Sequence, residues 1–130
     1  MIDNGTGISA VAGEGPAGLR EEALTRIDAI VDPCSKAFGR PAGLVGMGMI
    51  DRLDIDDGAV AVTVLPTFPD CLFRGVFEEE IEKALAPLAW CRSVRITFAP
   101  PEQTWEEERM SPAVRAALGR DRARRRASLA

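Results

Sequence analysis

Two runs of alternating apolar and polar residues, joined by the tripeptide Asp-Asp-Gly at 56–58, constrain the fold of this 130-residue chain more than any other feature. Successive side chains of a strand point to opposite faces, so each run predicts a strand with one buried face. Asp and Gly tolerate the positive φ angles of a tight turn, so the tripeptide predicts a hairpin. The residues expected on the core faces are Met49, Asp51, Leu53 and Ile55 in the first strand and Val60, Val62 and Val64 in the second.

Helical periodicity places a helix on each side of this hairpin. It predicts a first helix over residues 18–31 and an amphipathic second helix in the segment CLFRGVFEEEIEKALAPL, which begins at Cys71. The segment SVRITFA (93–99) alternates again and predicts a third strand. Ser111, a good N-cap residue, predicts the start of a last helix that closes near Gly119. The apolar stripe of the second helix comprises Leu72, Phe73, Val76, Phe77, Ile81, Ala84, Leu85 and Leu88.

The element order helix-strand-strand-helix-strand-helix predicts an α+β fold. We expect a two-layer sandwich, in which a small three-stranded sheet is packed by helices. Residues 1–17 are rich in Gly, Ala and Ser without periodicity, and are expected to be disordered. The domain proper is then expected over 18–118, and a basic, solvated C-terminal tail over 119–130.

Composition excludes several classes of protein. No apolar run approaches the roughly 18 residues of a membrane span, and the N-terminus lacks the basic and apolar regions of a secretory signal, so a cytoplasmic protein is expected. The basic tail is short and free of aromatic residues, which argues against nucleic-acid binding. The chain has no histidine, which excludes a Ser-His-Asp triad, a Cys-His pair and histidine metal ligands.

The three cysteines are the remaining candidates for chemistry. Their number is odd, and a chain of this size builds a core without disulfides, so thiol or metal chemistry is the better expectation. Cys34 lies in a loop after the first helix, where it is a candidate ligand or a surface residue without a role. Cys91 opens the third strand and is interpreted as a packing residue. Any soft-metal site must combine these thiols with carboxylates or with a second chain.

Cys71 is the strongest of the three candidates. Pro69 and Asp70 precede it, and the apolar helical period begins immediately after it, so we expect Cys71 in the first helical turn. Unpaired N–H groups and the helix dipole favour an anion there, which lowers a thiol pKa and yields the metal-binding thiolate. Asp70 or Thr67 would be the N-cap. A small buried core residue is the alternative interpretation of Cys71, and its position alone leaves both open.

Taken together, these segments resemble the small metal–sulfur (iron–sulfur) cluster assembly domain family, which includes SufT-like proteins and the PaaD subunit of phenylacetate degradation clusters. The family shows an Asp-Pro-Glu loop after its first helix, a Gly-rich entry to a hairpin, a Thr-x-Pro-x-Cys turn and a late Trp before Met-Ser-x-x-x-Arg. The resemblance covers roughly residues 20–118, but Cys34 stands where the family has glutamate. The matching residues are Asp32 and Pro33 in VDPCS, the segment GLVGMGMIDRLDI, Thr67, Pro69 and Cys71 in PTFPDC, and Trp105, Met110, Ser111 and Arg115 in TWEEERMSPAVRAAL.

The resemblance implies a non-enzymatic factor for iron–sulfur cluster assembly or delivery, with Cys71 as the functional thiol. We expect Cys34 and Cys71 to face each other across a pocket, where they bind iron or a cluster transiently, with zinc as an alternative metal. The pocket would be lined by Asp32, Thr67, Pro69 and Asp70. Two thiolates are too few for a closed site, so a second protomer in a homodimer or an apo client protein would complete it. The implied partners are the iron–sulfur assembly machinery and its clients.

Two other functions stay open at this point. The chain could be an accessory subunit of a multicomponent oxygenase, like PaaD, that acts by docking to another subunit. It could also be a thiol redox protein in which Cys34 and Cys71 form a reversible disulfide, although no Cys-x-x-Cys motif supports this alternative.

Overall fold

The order of helices and strands matches the sequence prediction. The computed structural model describes residues 11–33, 41–67 and 72–129. Three helices and three strands are found in this part of the chain, and a short 3-10 turn over Glu107–Arg109 precedes the last helix. The elements are α1 (Ala17–Asp28), β1 (Ile50–Asp56), β2 (Ala59–Val64), α2 (Arg74–Leu85), β3 (Ser93–Phe98) and α3 (Pro112–Leu129).

The sheet has the strand order β1-β2-β3 and is mixed. β1 and β2 form the predicted antiparallel hairpin, with Asp57 (φ 50) and Gly58 (φ 81) in the left-handed region that its turn requires. α2 connects β2 to β3, so β3 runs parallel to β2, with Val62 opposite Ile96. This arrangement confirms the predicted α+β fold.

The core lies between one face of the sheet and the helices. α1 contacts both α2 and β1, and α2 contacts β3. In β2 the valines are buried while Ala59 and Ala61 are exposed, as the alternating pattern predicts. Burying one such apolar side chain stabilises the fold by about 1.5–3 kcal/mol. The largest fully buried side chains include Leu24 and Ile27 of α1, Leu53 of β1, Val60, Val62 and Val64 of β2, and Phe77, Ile81 and Leu85 of α2.

A β-bulge corrects the predicted inner face of β1. The register with β2 shifts between Ile50 and Arg52, so Ile50 is buried in the core in addition to Leu53 and Ile55. Asp51, expected on the core face, instead accepts hydrogen bonds from the side chains of Gln103 and Arg109. The bulge removes a carboxylate from an apolar core, where it would be costly.

The prediction of disorder over residues 1–17 is wrong for residues 11–16, the part of that segment that the structure describes before α1. Ala12 forms a parallel bridge with Arg52, and its carbonyl accepts from the Leu53 N–H at 2.9 Å. The Arg20 guanidinium donates to the carbonyls of Val11 and Leu53, which holds the segment against β1. Gly13 allows this close approach to β1, because a Cβ there would clash with the Leu53 carbonyl.

The last helix was predicted to end near Gly119. In the structure it continues to Leu129. A glycine inside a helix costs about 1 kcal/mol relative to alanine. Ion pairs offset that cost: Asp121 pairs with Arg124 and Arg125 one turn further on, and Arg122 pairs with Glu107 at 2.6 Å. The tail predicted over 119–130 is therefore helical in its described part, although most of its side chains are exposed to solvent.

Candidate functional site

The segments that carry the predicted site meet at one end of the sheet, where β1 begins and β2 ends. The chain after α1 pairs with the glycine-rich loop before β1: the Asp32 N–H donates to the Ala42 carbonyl at 2.8 Å, and Val31 forms a bridge with Gly43. The loop in turn meets the end of β2, because the Leu65 N–H donates to the Met49 carbonyl at 2.7 Å. Backbone hydrogen bonds thus bring the Asp-Pro segment and the β2–α2 connection to the same place.

Asp32 is deeply buried at this end of the sheet, with 1% of its surface exposed. Among the described residues, the only other buried polar one is Ser111. Moving a carboxylate out of water costs several kcal/mol unless the protein compensates it. Burial distinguishes Asp32 from an ordinary surface aspartate, and its predicted role in lining the site stays a prediction.

The start of α2 differs from the prediction. Residues 72 and 73 form a turn, the first helical residue is Arg74, and Phe73 occupies the N-cap position without a side-chain cap. Thr67 is therefore not the N-cap of this helix, which begins three residues after Cys71 in the sequence. Because the dipole effect fades beyond the terminal turn, the helix N-terminus gives weaker support for a Cys71 thiolate than the sequence suggested.

Thr67 lies half-buried beside a small cavity of about 90 Å³ at the end of β2. Arg74 and Trp105 also line this cavity. The Arg74 guanidinium lies over the ring of Phe98, 4.6 Å from its centroid, and this contact holds the cation beside the β2–α2 connection. Arg74 is not among the residues predicted for the site, and its one signal in the sequence is its position three residues after Cys71.

A larger apolar groove of about 760 Å³ lies between α1 and α2. Val31 and Pro33 line it on the α1 side, and Val76 and Phe77 line it on the α2 side. The predicted apolar stripe of α2 is buried only in its later part, from Phe77 onward. Its first residues stay in solvent and, together with Val31, form what we call the apolar patch: Val31 (42% exposed), Leu72 (94%), Phe73 (37%) and Val76 (48%).

Cys34, Cys71, Pro69 and Asp70 lie outside the described residues, so the predicted approach of the two cysteines stays a prediction. Their neighbours in the chain are described. Cys34 follows Pro33, which lines the groove, and Cys71 precedes Leu72 of the apolar patch. Consecutive Cα atoms are about 3.8 Å apart, so each cysteine is tied to a residue at or beside the groove.

Cys91 is a different kind of thiol. It is partly buried before β3, and its Sγ donates to the Ser93 carbonyl at 3.7 Å. Burial raises the pKa of the Cys91 thiol, and this outweighs the opposing effect of that hydrogen bond. The raised pKa disfavours the thiolate of Cys91, in agreement with the interpretation of Cys91 as a packing residue. The part of the chain that the structure describes holds no group of three or more His, Cys, Asp or Glu side chains able to bind a metal ion.

The glycine-rich loop is held from the other side by residues 99–111, which we call the C-terminal strap. Trp105 Nε1 donates to the Met47 carbonyl at 2.8 Å, and Arg109 Nε donates to the Gly48 carbonyl at 2.9 Å. Arg109 also pairs with the bulge residue Asp51 at 3.1 Å. These contacts give the late tryptophan segment a structural role in fixing the entry to β1.

The strap also explains Ser111 and Arg115 of the same motif. The Ser111 N–H donates to the Gly46 carbonyl at 2.7 Å, and the Ser111 hydroxyl caps α3 by accepting from the Val114 N–H at 3.3 Å. Arg115 donates to the Glu108 carbonyl at 2.7 Å. The prediction of Ser111 as the N-cap is confirmed, whereas its partner in the glycine-rich loop has no local signal in the sequence.

No helix in the described ranges has both the length and the apolar character needed to cross a membrane.

Comparison with known proteins agrees with this arrangement of motifs. The chain is 30% identical over 104 residues to the Fe-S protein maturation auxiliary factor YitW of Bacillus subtilis, an alignment that spans 78% of this chain and 94% of that protein. Among solved structures, the chain is similar to a domain of unknown function from Bacillus anthracis (TM-score 0.66, 20% identity, 75% of this chain and 89% of that one). It is also similar to the conserved hypothetical protein TM0487 of Thermotoga maritima, with a TM-score of 0.54 and 28% identity over 76% of this chain and 92% of that one.

The first of these structural similarities lies below 25% identity and shows the fold alone. The assignment to a family rests on the sequence itself. Residues 20–98 match the model of the family described as iron-sulfur cluster assembly protein, and this range spans α1, the hairpin, α2 and β3. Together with the YitW alignment, this match confirms the resemblance noted from the motifs. The chain therefore belongs to the iron–sulfur cluster assembly protein family.

Proposed function

We propose that this protein is a non-enzymatic iron–sulfur cluster assembly or delivery factor that binds its cargo, iron or a cluster, transiently through Cys71 and Cys34. One observation carries the proposal: both cysteines adjoin described residues in or near one groove in the sequence, since Pro33 lines the α1–α2 groove and Leu72 lies four residues before Val76, which lines the same groove. Cysteine thiolates are the usual ligands of iron–sulfur clusters.

The charges of the described residues suit this role. Arg74 lies three residues beyond Cys71 in the chain and is exposed, and a nearby cation favours the thiolate form of a cysteine. Asp32 supplies a carboxylate two residues before Cys34, at the position of the Asp-Pro motif. In this proposal Asp32 and Thr67 line the pocket with Pro69 and Asp70, and zinc competes as an alternative metal.

Two thiolates per chain leave coordination positions on the iron open. In delivery, thiolates of an apo client replace Cys71 and Cys34 as ligands one at a time, so the oxidation state of the cluster does not change. The released thiolates of Cys71 and Cys34 then take up protons. The partners are therefore the iron–sulfur assembly machinery and its clients, and nucleic acid has no role. We place the protein in the cytoplasm, where thiols stay reduced.

A second candidate function is favoured by the apolar patch. A surface with four exposed apolar side chains is suited to docking, as expected of an accessory subunit of an oxygenase. In that function the patch would bind another subunit, and the cysteines would be dispensable.

Anaerobic reconstitution with iron and sulfide tests the proposal. We expect wild-type protein to gain iron and the absorption of a thiolate-bound cluster, and Cys71→Ser and Cys34→Ser each to lose most of both. Cys91→Ser is the matched control and should bind as the wild type does, because burial raises the pKa of the Cys91 thiol and Cys91 is not among the described residues that line the groove.

Equal iron binding by wild type and Cys71→Ser would remove Cys71 from the mechanism. Client maturation that persists in both variants would favour the docking function instead.

A further inference from the structure

We propose that Ser128, near the end of α3, is a phosphorylation site for a basophilic Ser/Thr protein kinase, that is, a kinase that selects its substrate by arginines before the acceptor residue. This site is independent of the proposed function, because the described residues that line the α1–α2 groove include neither Ser128 nor the arginines before it.

The residues around Ser128 have the order that such a kinase selects. Three consecutive arginines, Arg124 to Arg126, precede Ser128 by two to four residues, and Leu129 follows it. A basophilic kinase binds arginines two and three residues before the acceptor with carboxylates of its cleft, and a guanidinium group matches a carboxylate with two parallel hydrogen bonds. Among all serines and threonines of the sequence, Ser128 alone has arginine at both of these positions.

The side chains that a kinase would contact are open to solvent. Arg124 and Arg125 keep 67% and 63% of their side-chain surface exposed, Leu129 is 87% exposed, and Ser128 is also exposed. Ser111, which likewise has an arginine two residues before it, is by contrast buried, and its hydroxyl caps α3. Exposure therefore favours Ser128 in the same way as the sequence order does.

The end of α3 can open to enter a kinase cleft, which binds its substrate as an extended chain. The helix has no buried residue, and all of residues 122–129 are exposed. Arg122, which pairs with Glu107 at 2.6 Å, is the last residue of the described helix that forms an ion pair with another part of the chain. Helix ends with so few tertiary contacts open at little cost in free energy, so the helical state of Ser128 does not protect it.

The phosphorylated side chain would find partners within α3. Arg125 and Arg124 lie three and four residues before Ser128, the spacing at which helical side chains are neighbours. Both now pair with Asp121, at 3.0 and 3.2 Å. A phosphoserine carries a charge of about −1.5 to −2 and three acceptor oxygens, so it competes with the single charge of Asp121 for both guanidinium groups. Modification thus exchanges the partners of these arginines and leaves no charge unpaired.

The reaction is a phosphoryl transfer from a nucleoside triphosphate that the kinase holds with Mg²⁺. A bond forms between Ser128 Oγ and the γ-phosphorus, and the bond from the γ-phosphorus to the bridging oxygen of the β-phosphate breaks. The nucleoside diphosphate leaves, and the hydroxyl proton of Ser128 passes to an aspartate of the kinase. No atom changes its oxidation state.

Incubation of the full chain with the catalytic subunit of cAMP-dependent protein kinase, which is basophilic, and with magnesium and ATP tests the acceptor. We expect one phosphoryl group per chain, which peptide mass spectrometry maps to Ser128, and none on Ser128→Ala. The double variant Arg125→Ala/Arg126→Ala should lower kcat/KM at least about tenfold, because it removes the charge-assisted hydrogen bonds to the kinase. Arg120→Ala, which removes an exposed arginine of the same helix outside the two selected positions, should leave kcat/KM unchanged.

Phosphopeptide mass spectrometry of the protein isolated from the cells that naturally produce it then tests whether the site is used. Phosphate on Ser128 in that material supports the proposal. A wild-type chain that the purified kinase leaves unmodified at Ser128 overturns it, as does a Ser128 that stays unmodified in cells under all growth conditions sampled. Equal kcat/KM for the wild type and Arg125→Ala/Arg126→Ala would show that the arginines do not select the site, which overturns its assignment to a basophilic kinase.

Discussion

The two sides of the same sheet end are built in opposite ways. On one side, the C-terminal strap closes the glycine-rich loop with directed hydrogen bonds, and Asp51, Arg109 and Trp105 all find partners. On the other side, Leu72 and Val76 stand in solvent beside an open groove. The strap side contributes stability and holds the glycine-rich loop in place, whereas the groove side leaves apolar side chains exposed to solvent, and the proposed function assigns binding to this side.

The largest expected effect comes from breaking the strap side at Gly48. Its φ of 75 lies in the left-handed region, and a Cβ there would clash with the backbone carbonyl of Arg109. Left-handed strain alone costs about 1–3 kcal/mol, and the clash adds to it, so Gly48→Ala should lower the free energy of unfolding by at least about 3 kcal/mol. Urea unfolding monitored by tryptophan fluorescence measures this change.

Gly119→Ala is the matched control for this substitution. A Cβ at Gly119 would meet no atom within 4 Å outside the backbone of its own helix, so alanine should stabilise the protein by up to about 1 kcal/mol. If Gly119→Ala lowered the free energy of unfolding as much as Gly48→Ala does, the loss at Gly48 could not be attributed to its contact with the strap.

The groove side should behave in the opposite way. Leu72 is 94% exposed, so Leu72→Ala should change the free energy of unfolding by no more than about 0.5 kcal/mol under conditions where the protein is monomeric. Ile81 belongs to the same predicted stripe but is fully buried, and Ile81→Ala should cost about 2–5 kcal/mol. Urea unfolding of both variants at low protein concentration gives the comparison, and a cost at Leu72 close to that at Ile81 would mean that the patch is part of the core.

Much of the fold follows from the sequence because its signals are local. The alternation in β1 and β2 and the turn at 56–58 depend on neighbouring residues, and they specify the hairpin. The bulge at Asp51 depends on Arg109, a partner far away in the sequence, so no local period reveals it. The same holds for the early part of α2, where helical periodicity assigns Leu72 and Phe77 to one stripe and cannot tell which of them meets a neighbour.

In the candidate site, too, the features with local sequence signals could be predicted, and those made by residues distant in sequence could not. The family motifs predict Asp32, Thr67 and Cys71 as site residues because these motifs are short and ordered along the chain, and this assignment stays a prediction. The motifs did not identify the groove, because a groove is made by two helices that are distant in sequence. The helix start at Arg74 was also missed, since Leu72 and Phe73 fit a helical period as well as a turn.

The smallest expected effect concerns the thiol that belongs to neither side. In the double variant Cys34→Ser/Cys71→Ser, Cys91 is the remaining cysteine. Burial raises its pKa, so at any given pH a smaller fraction of it is thiolate in the folded protein than in the unfolded chain. Iodoacetamide alkylation followed by mass spectrometry should therefore be slower for the folded double variant than for the same chain in urea, with its rise in rate displaced to higher pH. Faster alkylation when folded would mean that Cys91 is an activated thiol, and the assignment of the chemistry to the groove side alone would fail.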